Sequence, residues 1–217
     1  MIQFHISLEE KSKAIWKLPC PIWIRGIASE GNIGPVAGST QISQFYKMPG
    51  IKIFSPINSK EYFDIYKNFL KDDDVYYISE HRKTYSNTKI IKNRYFKKPD
   101  VTLMLNSITR HTVNDIERHF KNYKNLKLGI INLFKLKPLI LSKKEKEMLK
   151  NTSKKIIICD NDYVDGLPSI ISAKINKLTN CKIDLMGLPN KTAGHHSRND
   201  VLPPNSSDII KKIETII

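Results

Sequence analysis

The stretch VTLMLNSITRHTVNDIERHFKNYKNLKLGIIN, residues 101–132, carries the clearest strand–helix–strand pattern in the chain. It opens with an apolar run, residues 101–105, of the kind that forms a buried strand. Thr112 follows as a candidate helix N-cap, and the apolar positions after it are spaced by three and four: Val113, Ile116 and Phe120. A second apolar run closes the stretch at residues 128–132. Strand, helix and strand in this order predict a βαβ unit with parallel strands.

The same alternation extends along the chain in both directions. Predicted strands cover residues 21–25, 51–54, 75–78, 101–105, 128–132, 155–159 and 182–186. Predicted helices cover residues 59–70, 112–123, 142–150 and 207–217, and a further helix begins at Asp165 or Ser169. Short β-branched runs joined by longer amphipathic segments are typical of an α/β protein with parallel sheets. The fold class is therefore predicted as α/β.

A polar and basic stretch divides the chain near its middle. Residues 86–98 lack the apolar periodicity of their surroundings and end just before Pro99. Pro and polar residues between two periodic segments favour a domain boundary. We therefore expect one domain over residues 1–92 and a second over residues 98–217.

Composition excludes several classes of function. The chain has 36 Lys and Arg against 21 Asp and Glu, a net charge of +15, but the excess is spread over both halves and 30 of the 36 are Lys. Arg, which makes bidentate contacts to phosphates and bases, is scarce, so we expect no nucleic-acid partner. No apolar run approaches the length of a membrane span, and no leader is evident. Cys20, Cys159 and Cys181 lack disulfide or zinc spacing, so we expect a soluble cytoplasmic protein.

A glycine-rich loop is the first candidate for ligand binding. Residues 30–41, EGNIGPVAGSTQ, could form a phosphate cradle or a plain connection with left-handed glycines. Neither GxGxxG nor GK[ST] is present, so the sequence does not decide between them. The side chains that could donate to a ligand are Ser39, Thr40 and Gln41.

Other polar residues are candidates for acid–base or metal chemistry. His81 ends a predicted parallel strand, where ligand crevices open in α/β proteins, and is the best-placed general acid or base. The run Asp72 to Asp74 is either a cation-binding run or an acidic turn. His195 and His196 are adjacent in a polar loop with no acidic or thiol partner nearby, so we predict no metal site.

At this point several segments resemble one family, the thiamine-diphosphate enzymes of the transketolase type. They match above all the β subunit of the first component of the 2-oxoacid (pyruvate) dehydrogenases. The segments are PIWIRG (21–26), PGIKIFSP (49–56), LKDDD (70–74), ISEHR (78–82), NLFKLKPL (132–139), GLPN (187–190), and LP with SDI (202–203 and 207–209). They occur in the family's order and at nearly the family's spacing, from about residue 12 to the end.

The resemblance implies a partial Rossmann-like pyrimidine-binding domain followed by a transketolase C-terminal-like domain of three αβα layers. It also implies that two functional groups are missing. The family's cofactor-activating glutamate lies in the part of the pyrimidine-binding domain that precedes this resemblance. The family's loop histidine aligns with Thr40 in the transketolase register and with Ala37 in the dehydrogenase register. We therefore assign no catalytic residue, and name Ser39, Thr40, Gln41 and His81 only as pocket candidates.

The resemblance further implies a subunit or half of a transketolase or 2-oxoacid dehydrogenase that is not catalytic alone. Thiamine diphosphate chemistry needs a tuning carboxylate and a proton donor. We expect this cofactor to bind only with a partner chain, which carries the missing pyrimidine-binding half, a diphosphate-binding subunit, or both. A homodimer of this chain is a further alternative. The alternative is a non-catalytic, truncated remnant or interaction module of the same family.

Overall fold

The computed structural model describes residues 21–29, 40–123, 125–191 and 202–217. The strands are β1 (Ile22–Ala28), β2 (Ile51–Phe54), β3 (Val75–His81), β4 (Val101–Asn106), β5 (Leu128–Leu133), β6 (Lys135–Lys137), β7 (Lys155–Tyr163) and β8 (Ile183–Leu188). The helices are α1 (Ile42–Tyr46), α2 (Ser59–Phe69), α3 (Val113–Phe120), α4 (Lys143–Lys150), α5 (Leu167–Ile175) and α6 (Ser206–Glu214). Short 3₁₀ turns cover Arg82–Thr84 and Ser107–Thr112.

The strands form two four-stranded sheets. Sheet one has the order β1-β3-β2-β6, with β1, β3 and β2 parallel and β6 antiparallel to β2. Sheet two has the order β5-β4-β7-β8 and is parallel throughout. In the described part of the chain β1 pairs on one side only, with β3, so it forms an edge of sheet one.

Both faces of sheet two are covered by helices. One face packs against α3 and α6 through an apolar cluster that includes Val113, Ile116, Phe120, Ile209 and Ile213. The other face packs against α4 and α5, in a cluster that also takes in β2, β3 and α1 of sheet one. Sheet two therefore forms the middle of three αβα layers, and the largest core lies between the two sheets.

Sheet one packs against α2 on its other face. Phe54, Ile65, Tyr76 and Ile78 are buried together, and partly buried aromatic rings close the cluster. The Trp23 ring lies 5.0 Å from Phe69 and 4.9 Å from Tyr66, measured between centroids. Asn58 caps α2, accepting a hydrogen bond of 3.0 Å from the amide of Glu61, as a helix N-cap does.

The α/β prediction is confirmed, and most predicted strands match the observed ones within a few residues. Strand β1 is longer than expected, because its ladder with β3 continues from the Gly26–Ser79 pair to the Ala28–His81 pair. Gly26 is therefore a strand residue, although the predicted strand ends at residue 25. A Cβ at this position would lie 2.0 Å from the Tyr77 hydroxyl oxygen, so the buried Tyr77 side chain, which donates to the Thr40 carbonyl, fills the space that a side chain at residue 26 would need.

The start of α5 also differs from both predicted caps. The helix begins at Leu167, whose amide donates to the Asp162 carboxylate at 3.1 Å, so neither Asp165 nor Ser169 caps it. Gly166 permits this arrangement, since a Cβ there would lie 2.6 Å from the same carboxylate. Thr112 likewise makes no side-chain cap, because the 3₁₀ turn leads directly into α3.

The division into domains over residues 1–92 and 98–217 stays a prediction. Strand β6 lies in the second of these segments but pairs with β2 of the first, through Ile53–Lys137 and Phe54–Lys135. In the part of the chain that the structure describes, no helix is long and apolar enough to cross a membrane.

Candidate functional site

The carboxyl ends of β3 and β7 meet where the two sheets face each other. Thr40 lies between them and is 1 % exposed. Its amide donates to the Asn161 carbonyl at 3.1 Å, and its carbonyl accepts from the Tyr77 hydroxyl at 3.1 Å and the Ser79 hydroxyl at 3.4 Å. The main chain of Thr40 thus joins the two sheets, and its hydroxyl has no hydrogen-bond partner.

A buried carboxylate lies next to this junction, on β7. Asp160 is 0 % exposed, and its Oδ1 accepts from the Asn106 amide nitrogen at 2.8 Å and from the Asn161 main-chain amide at 2.7 Å. Burial, and then the charge of Asp162, raise the pKa of Asp160 well above its ordinary value. Asp162 has a structural role, because its carboxylate oxygens accept hydrogen bonds from the main-chain amides of Tyr163 and Leu167.

The predicted acid or base, His81, is buried at the end of β3 with 1 % of its surface exposed. Its Nδ1 accepts from the Lys83 amide at 3.3 Å, and its Nε2 has no hydrogen-bond partner. Burial, and then the charge of the nearby His111, lower the pKa of His81 to about 4. The imidazole is therefore neutral at pH 7. His111 lies in the 3₁₀ turn after β4, with its Nε2 3.2 Å from the Asn87 amide nitrogen.

A buried ion pair lies beside the two histidines and connects α2 to the turn after β4. The Arg110 guanidinium, 1 % exposed, binds both carboxylate oxygens of Glu61, at 2.9 and 2.5 Å. Glu61 also accepts from the Ile57 amide at 3.0 Å. The guanidinium carbon lies 5.8 Å from the centroid of the Phe134 ring.

The structure does not bring all the predicted site residues together. Thr40 lies at the sheet junction and His81 at the end of β3. Gln41 has a left-handed backbone, with φ 55°, just before α1, and its side-chain oxygen accepts from Gln44 at 2.7 Å. Ser39, His195 and His196 lie outside the described residues, so the predictions made for them stay predictions.

The acidic turn at residues 72–74 is neutralised from within the chain. The Lys52 ammonium pairs with Asp72 and lies 2.8 Å from Asp74, which is 2 % exposed. Burial acts to raise the pKa of Asp72, but hydrogen bonds from Lys52 and Tyr76 outweigh it and lower that pKa. The positive charge beside the acidic turn is thus the Lys52 ammonium, whereas the sequence allowed either a bound cation or a plain acidic turn.

Replacing Lys52 by methionine should lower the free energy of unfolding by about 2 kcal/mol at pH 7, because it takes the ammonium away from two partly buried carboxylates. Since the folded-state pKa of Asp72 is depressed, the contribution is complete above the ordinary Asp pKa and is lost as the pH falls below it. Urea denaturation at pH 7 and pH 3 measures both effects. Lys60→Met is the control, since Lys60 is exposed and 3.8 Å from Asp64. Equal losses for the two variants would contradict the prediction.

Comparison with known proteins bears on the fold. No protein-family model matches the chain, and no curated protein matches it. Among solved structures, it is similar to a split-gene transketolase described as an inactive β4 tetramer, with 13 % identity and a TM-score of 0.66 over 94 % of this chain and 70 % of that one. It is also similar to the transketolase of Campylobacter jejuni subsp. jejuni, with 13 % identity and a TM-score of 0.63 over 89 % of this chain.

The chain has a transketolase-like fold. It spans only 31 % of the length of the Campylobacter transketolase. The part of the expectation that concerns fold is thus confirmed.

The described residues do not by themselves fit thiamine diphosphate. Thr40 offers only a buried hydroxyl, and His81 is buried with one nitrogen already accepting a hydrogen bond. One cleft on the described surface, of about 250 Å³, is lined by residues that include His111 and Asp115. We assign neither Thr40 nor His81 a step on the cofactor. The described residues also hold no group of three His, Cys, Asp or Glu that could bind a metal.

Sequence reasoning missed the residues that carry most of the buried polar chemistry: Asn106, Arg110, Asp160 and Asn161. Each follows or ends an apolar strand, and the carboxyl ends of parallel strands meet at one edge. The signal that points to His81 is also present toward the end of β7, where CDND follows three isoleucines. It could have identified Asp160.

Proposed function

We propose that the chain is a subunit or half of a thiamine-diphosphate-dependent enzyme of the transketolase or 2-oxoacid dehydrogenase type, and that it needs a partner chain for activity. The observation that carries the proposal is the likeness to a split-gene transketolase over 94 % of this chain. A split gene divides one catalytic unit between polypeptides. The partner would supply the activating glutamate, a diphosphate-binding domain, or both.

An exposed apolar surface beside the edge of sheet one supports a partner chain. Phe63, Tyr66 and Leu70 lie one to two turns apart at α2, and their exposed fractions are 66, 54 and 71 %. Tyr66 packs on Trp23 of the edge strand β1, and Ile27 on the same strand is 45 % exposed. An unpaired strand edge next to an apolar helix face is a surface that proteins cover.

The proposal is tested by inspecting the neighbouring genes for one that encodes the glutamate-bearing half, and by reconstituting this chain with its product; finding no such gene would favour a non-catalytic remnant. Isothermal titration calorimetry with thiamine diphosphate and Mg²⁺ should show micromolar binding for the mixture and none for this chain alone. Micromolar binding by this chain alone would contradict the need for a partner. A mixture that forms a complex but binds no cofactor would contradict the catalytic role.

Two surface variants locate the contact in the same mixture. Ile27→Lys places a charge on the edge of β1 and should abolish co-elution of the two chains on gel filtration. Ile217→Lys is the matched control, because Ile217 is 42 % exposed, close to the 45 % of Ile27, and lies beside Tyr123 and Lys154, away from β1 and α2. Equal behaviour of the two variants would place the contact elsewhere.

A non-catalytic interaction module is the second candidate. The split-gene transketolase similar to this chain is described as inactive and as a tetramer of its β chain. A self-associating, inactive form of this chain would follow the same pattern, and a second copy would then cover the apolar surface. Light scattering on the purified chain distinguishes the two: a stable homo-oligomer that does not exchange subunits with the partner favours the module.

A further inference from the structure

A cleft of about 400 Å³ lies next to the end of α2 and beside the short strand β6, which borders sheet one in the described part of the chain. Its charged lining residues are four lysines and one aspartate: Lys52, Lys71, Lys135, Lys137 and Asp72. The volume is within the range of small-molecule sites in proteins. The acidic turn directly precedes β3, whereas His81 ends that strand, so the cleft is separate from the candidate functional site.

The lysines come from three elements that are distant in the sequence. Lys52 lies on β2, Lys71 follows α2, and Lys135 and Lys137 belong to β6. Strand β6 pairs with β2 through Phe54 and Lys135, which brings the lysines of β6 to the cleft that Lys52 lines. The fold thus gathers four ammonium groups around one cleft.

The positive charge at the cleft exceeds the negative charge. The Lys52 ammonium is paired with Asp72 and Asp74. Among the described residues, none of the other three lysines is ion-paired to a carboxylate, and Lys137 donates instead to the main-chain carbonyl of Met48. Four lysines are therefore balanced by only two carboxylates.

Lys137 shows the effect of this excess of positive charge. Its ammonium lies 5.8 Å from the centroid of the Tyr46 ring, and the Lys174 ammonium lies 5.5 Å from the same centroid. Burial, and then the charge of Lys174, lower the pKa of Lys137. A bound anion would act in the opposite direction, because a nearby opposite charge favours the charged form of lysine. An anion would therefore offset the repulsion between the two ammonium groups.

Other residues of the lining supply a neutral donor and apolar surface. Asn68, in the last turn of α2, provides a side-chain amide. Pro138 and Ile140 follow β6, and Ile140 is 78 % exposed. Apolar surface with a few polar groups is typical of small-molecule sites.

We propose that this cleft binds a small polyanion of the phosphate class, held by the ammonium groups of Lys71, Lys135 and Lys137, with the Asn68 amide as a further donor. A lysine ammonium binds phosphate oxygens as a point charge with several donors. The anion would supply the missing counter-charge. It would also connect the end of α2 to β6, and so stabilise the pairing of β6 with β2.

Isothermal titration calorimetry of the full chain with sodium tripolyphosphate at low salt tests the site. We expect saturable binding of one ligand per chain. The double variant Lys71→Gln with Lys135→Gln should bind at least about tenfold more weakly, the size expected for the loss of charge-assisted hydrogen bonds. Both residues are exposed, so this variant should keep the fold.

The matched control is the double variant Lys121→Gln with Lys211→Gln. It removes the same charge from exposed positions at α3 and α6, which cover the face of sheet two that is turned away from sheet one. This control should bind like the parent, and equal affinities of the two double variants would overturn the proposal. Absence of binding by the parent would also overturn it, and would mean that the lysines only protect the border of β6 from pairing with another strand.

Two further probes identify the kind of anion. Adenosine triphosphate without Mg²⁺ should bind more tightly than tripolyphosphate if the natural ligand has an organic part, and equally if it is inorganic. An acetylated hexaglutamate peptide that binds more tightly than both would overturn the phosphate class in favour of an acidic protein segment. The site does not depend on the proposed function, so thiamine diphosphate binding by the reconstituted mixture should be the same for both double variants.

Discussion

Replacing Arg110 by methionine should lower the free energy of unfolding by about 3–5 kcal/mol, the largest effect that we expect from a single substitution in this chain. The guanidinium is 1 % exposed and binds both oxygens of Glu61. Without it, the Glu61 carboxylate is left largely buried and without a counter-charge. Urea denaturation at pH 7 measures the loss, which should appear in the midpoint rather than in the slope.

The control for this prediction is another arginine pair. Arg118 lies 3.6 Å from Asp115 with 79 % of its side chain exposed, so Arg118→Met should change stability by less than about 1 kcal/mol. A double variant adds a second check: with Glu61→Leu also present, Arg110→Met should cost far less than it does alone. Equal costs in both backgrounds would show that the ion pair is not the cause.

Stability should fall by about 3 kcal/mol between pH 6.5 and pH 4 because of His81, at 1.36 kcal/mol for each unit of its pKa shift. The folded-state pKa is about 4, whereas the unfolded chain has the ordinary value of 6.5. As the pH falls, the unfolded chain therefore binds the proton first. The stability from His81 is complete above about pH 6.5 and is lost as the pH approaches 4. Urea denaturation at a series of pH values in this range gives the slope.

His81→Asn removes the titrating group and keeps an acceptor for the Lys83 amide, so the variant should lose most of this slope. A part should persist, because burial also lowers the pKa of His111, which faces His81. His119→Asn is the control, since His119 lies on the surface beside Glu214. A His81→Asn chain with the parent's full slope would show that another group carries the pH dependence.

Sequence patterns predicted the parallel strands well, because most are short apolar runs, and β3, β4 and β7 are buried along almost their whole length. The patterns failed where an element depends on a tertiary contact rather than on its own local sequence. Strand β6 is only three residues long, and its existence depends on β2, more than 80 residues earlier in the chain. The cap of α5 likewise comes from Asp162, which belongs to the end of a strand.

Only part of the candidate site could be predicted, because it too depends on contacts between residues that are distant in the sequence. His81 was placed correctly at the end of a parallel strand, but nothing local indicates that it is buried against His111, 30 residues away. The pairing of Arg110 with Glu61 joins residues 49 positions apart. Such polar contacts follow from how the sheets pack, and a single sequence carries no periodic signal for them.

The position of β6 also has a consequence for synthesis of the chain on the ribosome. The strand that borders β2 emerges roughly 80 residues after it, which at 5–20 residues per second is a delay of about 4–16 s. During that interval the border of β2 that later pairs with β6 lacks this partner. We expect chaperones that bind nascent chains to bind this one during the interval before β6 is synthesised. Slowing translation before Lys135 should lengthen the interval and lower the yield of soluble protein.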